Sequence, residues 1–496
     1  MYSTNQRMLN QESVCMPIRG KNIYLQVFWS LDRIYASVTD ILKILTTRIP
    51  ERAETNEYRV LFKPIHTIIM KRIVLGTIMA GFMLTAMAQE AKEEIMQDIT
   101  LTGSNYLAYR GPQKQLTKAP KGYHPFYISH YGRHGSRYLI GDTDYDWPIQ
   151  TLVKADSLNK LSPLGKDVLR RMRMIRDESR KRTGELSPLG ALQHRQIARR
   201  MYERFPEVFQ GDVCIDAKST VVIRCILSME NELQELLIKN PRLRITHDAS
   251  EHDMYFMNQQ DNKLYNMKMP RRAQLKYDEY KRQHNNYNRV LNSLFNDTDY
   301  ATYDVDGERL VSLLFKHACN LQSTELRKNI TLYDLFTKEE LYEFWQQANA
   351  WWYITYGPSP LSGGVQPFSQ RNLLRNIIQQ ADSCLQLEHP GATLRFGHET
   401  MVMPLTCLLN LNGYGNPIDD LNQVNASGWH NYNIFPMGAN IQFIFYRNKK
   451  KGPLLVKVLL NEDEATLPLT DQSLSPYYIW EDVRSYYLQK LYSYQE

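Results

Sequence analysis

Tyr127-Ile128-Ser129-His130-Tyr131-Gly132-Arg133-His134-Gly135-Ser136-Arg137 is the stretch around which the rest of the chain is organised. An apolar, aromatic run ends in a glycine, and two arginines then bracket a histidine and a second glycine within five residues. The run reads as a buried strand. The glycines read as a loop that lets backbone and side chains close around a small ligand. Guanidiniums are planar, permanently charged donor forks that match phosphate oxygens, and an imidazole held between them is placed to attack phosphorus. A five-residue pattern on its own also fits a surface loop with scattered basic residues, so the remaining chain must supply the partners.

Composition sets the frame. The chain has 496 residues, 43% hydrophobic and 23% charged, which is a globular balance with room for two or three domains. The formal charge is +7, but residues 1–88 hold 11 Lys and Arg against 6 Asp and Glu, while the remainder holds 49 against 47. The basic excess is therefore mostly N-terminal, and no nucleic-acid partner is expected. The cysteines are Cys15, Cys214, Cys225, Cys319, Cys384 and Cys407, with no CxxC spacing. A dense disulfide framework or a zinc site is disfavoured; one or two disulfides and buried free thiols both stay open.

Residues 70–89 combine a positive start (Lys71, Arg72), an apolar stretch from Ile73 to Leu84 and a small-x-small site at Ala86-Met87-Ala88 before Gln89. This is the design of a secretory signal peptide, too short for a membrane span. Its internal position makes Met70 the expected initiator and residues 1–69 an upstream extension. Residues 70–88 are then the signal peptide, and a periplasmic or secreted location is expected. No stable membrane span is expected in the rest, and no lipid-attachment cysteine follows the apolar stretch.

Two Ser-Pro pairs announce helices. Ser162-Pro163 precedes the apolar series Val168, Leu169, Met172 and Ile175; Ser187-Pro188 precedes Leu192, Ile197, Met201 and Phe205, with Pro206 as the stop. Their arginine-rich faces read as solvated surface. Val213 to Ile215 is a short strand, and Ser219-Thr220 is expected to cap a helix running to Ile238, with Arg224 early in it, facing an anion-binding helix N-terminus. Residues 245–330 are polar, with helices expected over 271–295 and 307–321. His247-Asp248 and His252-Asp253 resemble metal ligands but lack the spacing of a site. Lys268, Arg271, Arg272, Lys276, Lys281 and Arg282 either line a pocket for a highly charged ligand or form a solvated face. Residues 337–356, with Trp345, Trp351 and Trp352, read as a strongly buried helix, followed by another over 373–387. Ala392 to Phe396 is a strand that runs into Gly397-His398-Glu399-Thr400 and an apolar helix over 401–411. A β-hairpin over 441–446 and 454–460 closes the pattern. Asn296, Asn329 and Asn425 carry glycosylation sequons, relevant only in a glycosylating host. The order of elements predicts an α/β body with a mostly helical insertion.

In an open α/β sheet, ligands collect at the carboxyl ends of the strands. Strands ending at Arg133-His134 and at His398-Glu399 both deliver there. Arg133, Arg137 and Arg224 would clamp phosphate, His134 would attack, and a carboxylic acid would protonate the leaving alkoxide. No metal or other cofactor is expected, because three arginines do the charge work.

With these residues in place the chain resembles the histidine acid phosphatases, branch 2 of the histidine phosphatase superfamily. Arg133-His134-Gly135-Ser136-Arg137 matches the family's R-H-G-x-R signature. Gly184 to Gly190, Ser219-Thr220 with Arg224 and Ser228, and Gly397-His398-Glu399 match three later segments in order. Phe396-Gly397-His398, Pro404-Leu405 and residues 351–358 look most like the multiple inositol polyphosphate phosphatase group. The resemblance implies a mostly parallel sheet flanked by helices, a phosphoglycerate-mutase-like core over 89–244 and 375–496, with a mostly helical insert over 245–374 shaping the substrate pocket. It implies His134 as nucleophile through a phosphohistidine, Arg133, Arg137, Arg224 and His398 as phosphate ligands, and Glu399 as proton donor. The implied substrate is an inositol polyphosphate; a broad-specificity acid phosphatase on sugar or nucleotide monophosphates, or a weak phosphate-ligand binder, is the alternative. Leu139 replaces a frequent family proline at a scaffold position. If the family's His-Asp pattern is the template, Glu399 is that acid lengthened by a methylene; if His-Ala-Glu, Thr400 takes the place of its glutamate. Oligomeric state is open.

Overall fold

The computed structural model of the chain describes residues 91–258, 261–450 and 452–494. The expected extension over 1–69 and signal peptide over 70–88 lie outside the described residues.

The organising stretch is the strand it was expected to be. β1 (Tyr123–Arg133) is buried along its last nine residues, because it lies in the middle of a sheet of order β3-β2-β4-β1-β5-β6-β7, with β8 pairing to β6. β2 (Cys214–Ser219), β3 (Arg244–Asp248) and β4 (Gly391–Gly397) run parallel to β1. β5 (Asn440–Asn448), β6 (Leu455–Leu460), β7 (Asp463–Glu464) and β8 (Tyr478–Ile479) form an antiparallel half. The sheet is thus mixed: the parallel half follows from long helical crossovers, and the antiparallel half from the expected hairpin, whose first strand docks directly on β1. In register, Arg133 faces Gly397 and Ser219 faces Phe396. The carboxyl ends of β1, β2 and β4 therefore finish level, along one edge of the sheet.

The helices follow their local signals closely. α1 (Asp142–Ser157) is joined by α2 (Pro163–Ser179) and α3 (Pro188–Arg204). Ser162 and Ser187 accept from the amides of Gly165 and Gly190 as N-caps, with proline at the first helical position. Several arginines of these faces sit in ion pairs, such as Arg171 with Asp167 and Asp334 and Arg200 with Glu462, while Arg173 and Arg195 are exposed. α4 (Ile223–Lys239) departs from expectation: it starts after Val222, which offers no side-chain cap, and Ser219 belongs to β2 instead. β2 pulls the chain on in extended form because Ser219 pairs with Phe396, and Arg224 still falls in the helix's first turn.

α5 (Arg271–Gln283) and α6 (Asn288–Leu294) divide the helix expected over 271–295, since residues 284–287 turn. α7 (Gly307–Leu321) and α8 (Lys338–Tyr356) follow. Thr337 and Glu340 close α8's start as a reciprocal capping box. On α8, Trp345 and Trp352 are buried, whereas Trp351 is exposed. α9 (Arg371–Cys384), α10 (Glu399–Leu409) and α11 (Trp480–Ser493) follow, and shorter helical turns such as Asn262–Asn266 and Thr298–Tyr303 lie between the longer helices. Apolar residues of α1, α2, α6 and α7 and the start of α8 share one cluster, so the helical side of the molecule draws on chain from both before and after the polar middle.

Three sequence features resolve plainly. All five described cysteines are free thiols. The His247–Asp253 cluster does not assemble: His247 faces Glu230 at 2.7 Å, and Asp253 bonds Lys218 at 2.7 Å. Asn425 is buried and its amide donates to Gln346, so its sequon is sealed by packing. Among the described residues no helix is long and apolar enough to cross a membrane.

Candidate active site

The edge where β1, β2 and β4 end collects Arg133, His134, Arg137, Arg224, His398 and Glu399. All six sequence-singled residues come together. Glu399 Oε2 lies 3.1 Å from Arg133 Nε and 3.4 Å from His134 Nε2, and its Oε1 lies 3.8 Å from Arg137 Nη2. The His134 and His398 rings stand edge to face at 5.8 Å. The extra methylene of Glu399 thus still lets its carboxylate reach the histidine.

The loop is rigid because backbone meets backbone. His134 N donates to Gly397 O at 2.9 Å and Gly438 N to His134 O at 3.0 Å. Gly135 N donates to Ser228 Oγ and Ser136 N to Gln193 Oε1. Ser136 O in turn accepts from both the amide and the hydroxyl of Ser187. A Cβ on Gly135 would sit 2.5 Å from Gly190 O, and one on Gly190 would sit 2.2 Å from Ser136 O. This close approach explains why the segment Gly184–Gly190 accompanies the arginine–histidine loop: α3 begins against it.

The histidine's tautomer follows from its contacts. His134 Nδ1 lies 2.9 Å from Gly135 O. A carbonyl only accepts, so Nδ1 carries the hydrogen and Nε2 presents a bare lone pair to the site. Burial holds the imidazole well below its ordinary value, outweighing the opposing pull of Glu399. His398 is lowered to about 4, also by burial ahead of the Glu399 charge; its Nε2 meets Thr220 Oγ1 at 3.2 Å. Both rings are neutral near neutral pH.

Glu399 is the opposite case. Burial pushes its carboxyl up, but the charges of Arg133 and Arg137 hold it well below the usual carboxylate range. It is also the first residue of α10, where the free amides of a helix start favour negative charge. Arg133, lowered to about 10 by burial, stays charged. Its Nη1 donates to the carbonyls of Asn105 and Phe435, which fixes the fork so that the rest of it faces the site.

Several buried donors converge without a hydrogen-bond acceptor. Arg133 Nη2, Arg137 Nε and Arg224 Nε are all enclosed and unpaired in this sense, and the bare His134 Nε2 among them has no hydrogen-bond donor. Among the described residues Arg224 is otherwise held only by a 3.5 Å contact to Gly184 O. Three guanidiniums against one carboxylate leave two surplus positive charges. That is the complement of a phosphate monoester dianion, whose oxygens would satisfy the donors. His134, His398 and Glu399 also bring three metal-ligating atoms within 4.8 Å of one another. The arginines that face the same carboxylate oppose a dication there, and the donor set suits an anion better.

Sequence reasoning missed the positioning groups. The carbonyls of Asn105 and Phe435, which hold Arg133, carry no residue-type signal. Tyr106, whose ring lies 5.6 Å from the Arg137 guanidinium, sits in a polar segment ahead of β1 that carries no motif. Gln193, which holds the Ser136 amide, is hidden inside an ordinary amphipathic helix.

Beside this cluster opens a cavity of about 420 Å³. Thr400 and Met401, next to Glu399, form part of its wall, together with Gln370, which donates to the Thr400 carbonyl, and with Tyr265, Lys268 and Tyr356. Of the six basic residues singled out over 268–282, only Lys268 lines it; Arg271, Arg272, Lys276 and Arg282 are exposed, and Lys281 pairs with Glu308.

Residues 132–461 match the family model of the histidine phosphatase superfamily, branch 2. A comparison with curated protein sequences returns no match. Among solved structures, the chain is similar to the Bifidobacterium longum multiple inositol polyphosphate phosphatase in complex with phosphate, with 19% identity, TM-score 0.67, and 78% of this chain and 97% of that one covered. The same protein in complex with inositol hexasulfate aligns with 18% identity, TM-score 0.65, and coverage of 77% and 97%. The phytase from D. castellii aligns with 15% identity, TM-score 0.60, and coverage of 79% and 85%. At these identities the likeness speaks for the fold.

Proposed function

The chain belongs to the histidine phosphatase superfamily, branch 2, and is a phosphatase; from that premise we propose that it is a secreted phosphomonoesterase which hydrolyses inositol polyphosphates through a phosphohistidine at His134. The observation that carries the reading is the bare Nε2 of His134 set among three arginines with unpaired buried donors. Arg133, Arg137 and Arg224, with His398, bind the phosphoryl oxygens and neutralise them as charge redistributes. Nε2 attacks phosphorus in line, the P–O bond to the inositol breaks, and the phosphoryl group passes to the histidine. Glu399 gives a proton to the departing alkoxide. It is ionised in the free enzyme, and the incoming dianion supplies the reason it can protonate: phosphate competes for Arg133 and Arg137 and adds negative charge beside the carboxylate. The resulting carboxylate then takes a proton from the water that attacks the phosphohistidine, releasing phosphate and restoring the neutral imidazole.

The cavity next to Glu399, with its cationic and aromatic wall, favours a polyphosphorylated substrate over a small monophosphate. The leader-like stretch over 70–88 supports export to the periplasm or beyond. The test is phosphate release from inositol hexakisphosphate by the enzyme and by His134→Ala. Release that disappears with His134→Ala supports the reading. Release from sugar phosphates but not from inositol phosphates overturns the substrate, and release that survives His134→Ala overturns the mechanism.

A further inference from the structure

Lys268 differs from Lys276 and Lys281 of the same segment in what surrounds its ammonium. Its Nζ lies 3.9 Å from the centre of the Tyr356 ring and 4.9 Å from that of Tyr265, sandwiched by two aromatic faces. Among the described residues no carboxylate pairs with it. The acid of the same cavity, Asp261, is taken by Arg371 at 2.8 Å and by the amide of Leu264. Neighbouring lysines of the segment differ: Lys276 and Lys281 pair with Glu279 and Glu308. Burial alone draws the Lys268 ammonium down to about 8, the signature of a cation withdrawn from water with nothing to neutralise it. Ring quadrupoles hold such a cation in place without cancelling its charge.

The wall facing it begins at Thr400 and Met401, directly after Glu399, and Tyr356 is close enough to feel the Glu399 charge in addition to its own burial. The cavity therefore lies beside the catalytic edge, sharing with it the first turn of α10. The geometry points to Lys268, seated on Tyr265 and Tyr356, as a second anion subsite that takes a phosphoryl group other than the one being cleaved. This rests on the reading of the substrate as an inositol polyphosphate and assigns the residue that selects it. Lys268 touches no reacting atom. It sets specificity by gripping a neighbouring phosphate.

The test uses two probes that are not turned over, inositol hexasulfate and inorganic phosphate, with binding to the full-length enzyme measured by calorimetry. Lys268→Ala is expected to weaken hexasulfate by about tenfold or more, as for the loss of a partly desolvated charge-assisted contact. Inorganic phosphate, which fills only the arginine cluster, is expected to bind within about twofold of the unmodified enzyme, and Lys268→Arg to restore hexasulfate binding. Phosphate affinity also reports whether the variant is folded. Unchanged hexasulfate affinity in Lys268→Ala, or equal weakening of both probes, overturns the subsite. Hydrolysis of inositol hexakisphosphate by the unmodified enzyme is assayed separately: no hydrolysis together with a tenfold Lys268 effect would reject the substrate and keep the subsite.

Discussion

Replacing Glu399 by glutamine keeps the side chain's shape and removes its charge and its proton. The two losses act in opposite directions and can be read apart. As a donor, Glu399 spares the alkoxide from departing unprotonated, a contribution of about 10²–10⁴ in rate, or roughly 3–5 kcal/mol at about 1.4 kcal/mol per decade. As a charge, it lies 3.1 Å from Arg133 and 3.8 Å from Arg137 and competes with phosphate for the same forks. Unit charges about 4 Å apart interact by ~4 kcal/mol at an effective dielectric of ~20, and a fraction of that is enough to tighten phosphate about tenfold. The expected variant turns over alkyl phosphates about 10²–10⁴ slower, while p-nitrophenyl phosphate, whose phenolate departs without help, loses little. Its inhibition constant for inorganic phosphate falls. Steady-state kinetics on the two substrates, with phosphate as inhibitor, make the measurement. An equal loss on alkyl and aryl phosphates would refute the assignment of Glu399 as acid, and so would weaker phosphate inhibition.

Arg224 is held only loosely by the protein, so Arg224→Ala is expected to raise KM and the phosphate inhibition constant about tenfold or more, with an unfolding midpoint close to that of the parent; a large loss of stability with unchanged KM would contradict its role as a ligand. Gly190→Ala forces a methyl into the Ser136 carbonyl 2.2 Å away and should cost about 1–3 kcal/mol as an overpacked site, read by chemical denaturation, together with a fall in kcat/KM from displacement of the arginine–histidine loop. Because burial, helped by Arg133 and Arg137, keeps His134 well below its ordinary value against the opposing pull of Glu399, kcat/KM should not decline between pH 7 and pH 5, whereas a nucleophile titrating near ~6.5 would lose tenfold or more over that range.

The parts of the fold that the chain announces are those whose cause is local. β1 shows because an apolar run stops at Gly132, and α2 and α3 because Ser-Pro pairs cap them. The strand–loop–helix at His398-Glu399 shows because β-rich residues, a glycine and an apolar run follow in order. The elements that escaped detection lack such a cause. α1 opens on Asp142 and Asp144 and contains Pro148, a composition that reads as a turn. β3 is an edge strand with no buried residue, so it has no apolar alternation to detect. α11 is built from mixed aromatic and polar residues after the hairpin, and it docks on α9 and the end of α10, where Arg484 pairs with Asp382 and Tyr487 donates to the Leu409 carbonyl. The docking of β5 on β1, which makes the sheet mixed, likewise joins residues some 300 positions apart. At the site, all six side chains were legible because each is an unusual residue at a strand end or helix start. Lys268 was visible only as one of six basic residues over 268–282; burial between Tyr265 and Tyr356 is what separates it, and burial is a property of the fold.

The central claim is that His134 Nε2 carries the phosphoryl group. Mixing the enzyme with excess substrate, quenching within milliseconds into denaturing alkali and mapping the phosphorylated peptide by mass spectrometry tests it directly. The account predicts an alkali-stable, acid-labile phosphoryl group on His134, formed in a burst with the first equivalent of alcohol and lost in His134→Ala along with turnover. A burst that leaves the phosphoryl group on another residue, or full turnover by His134→Ala, would contradict it.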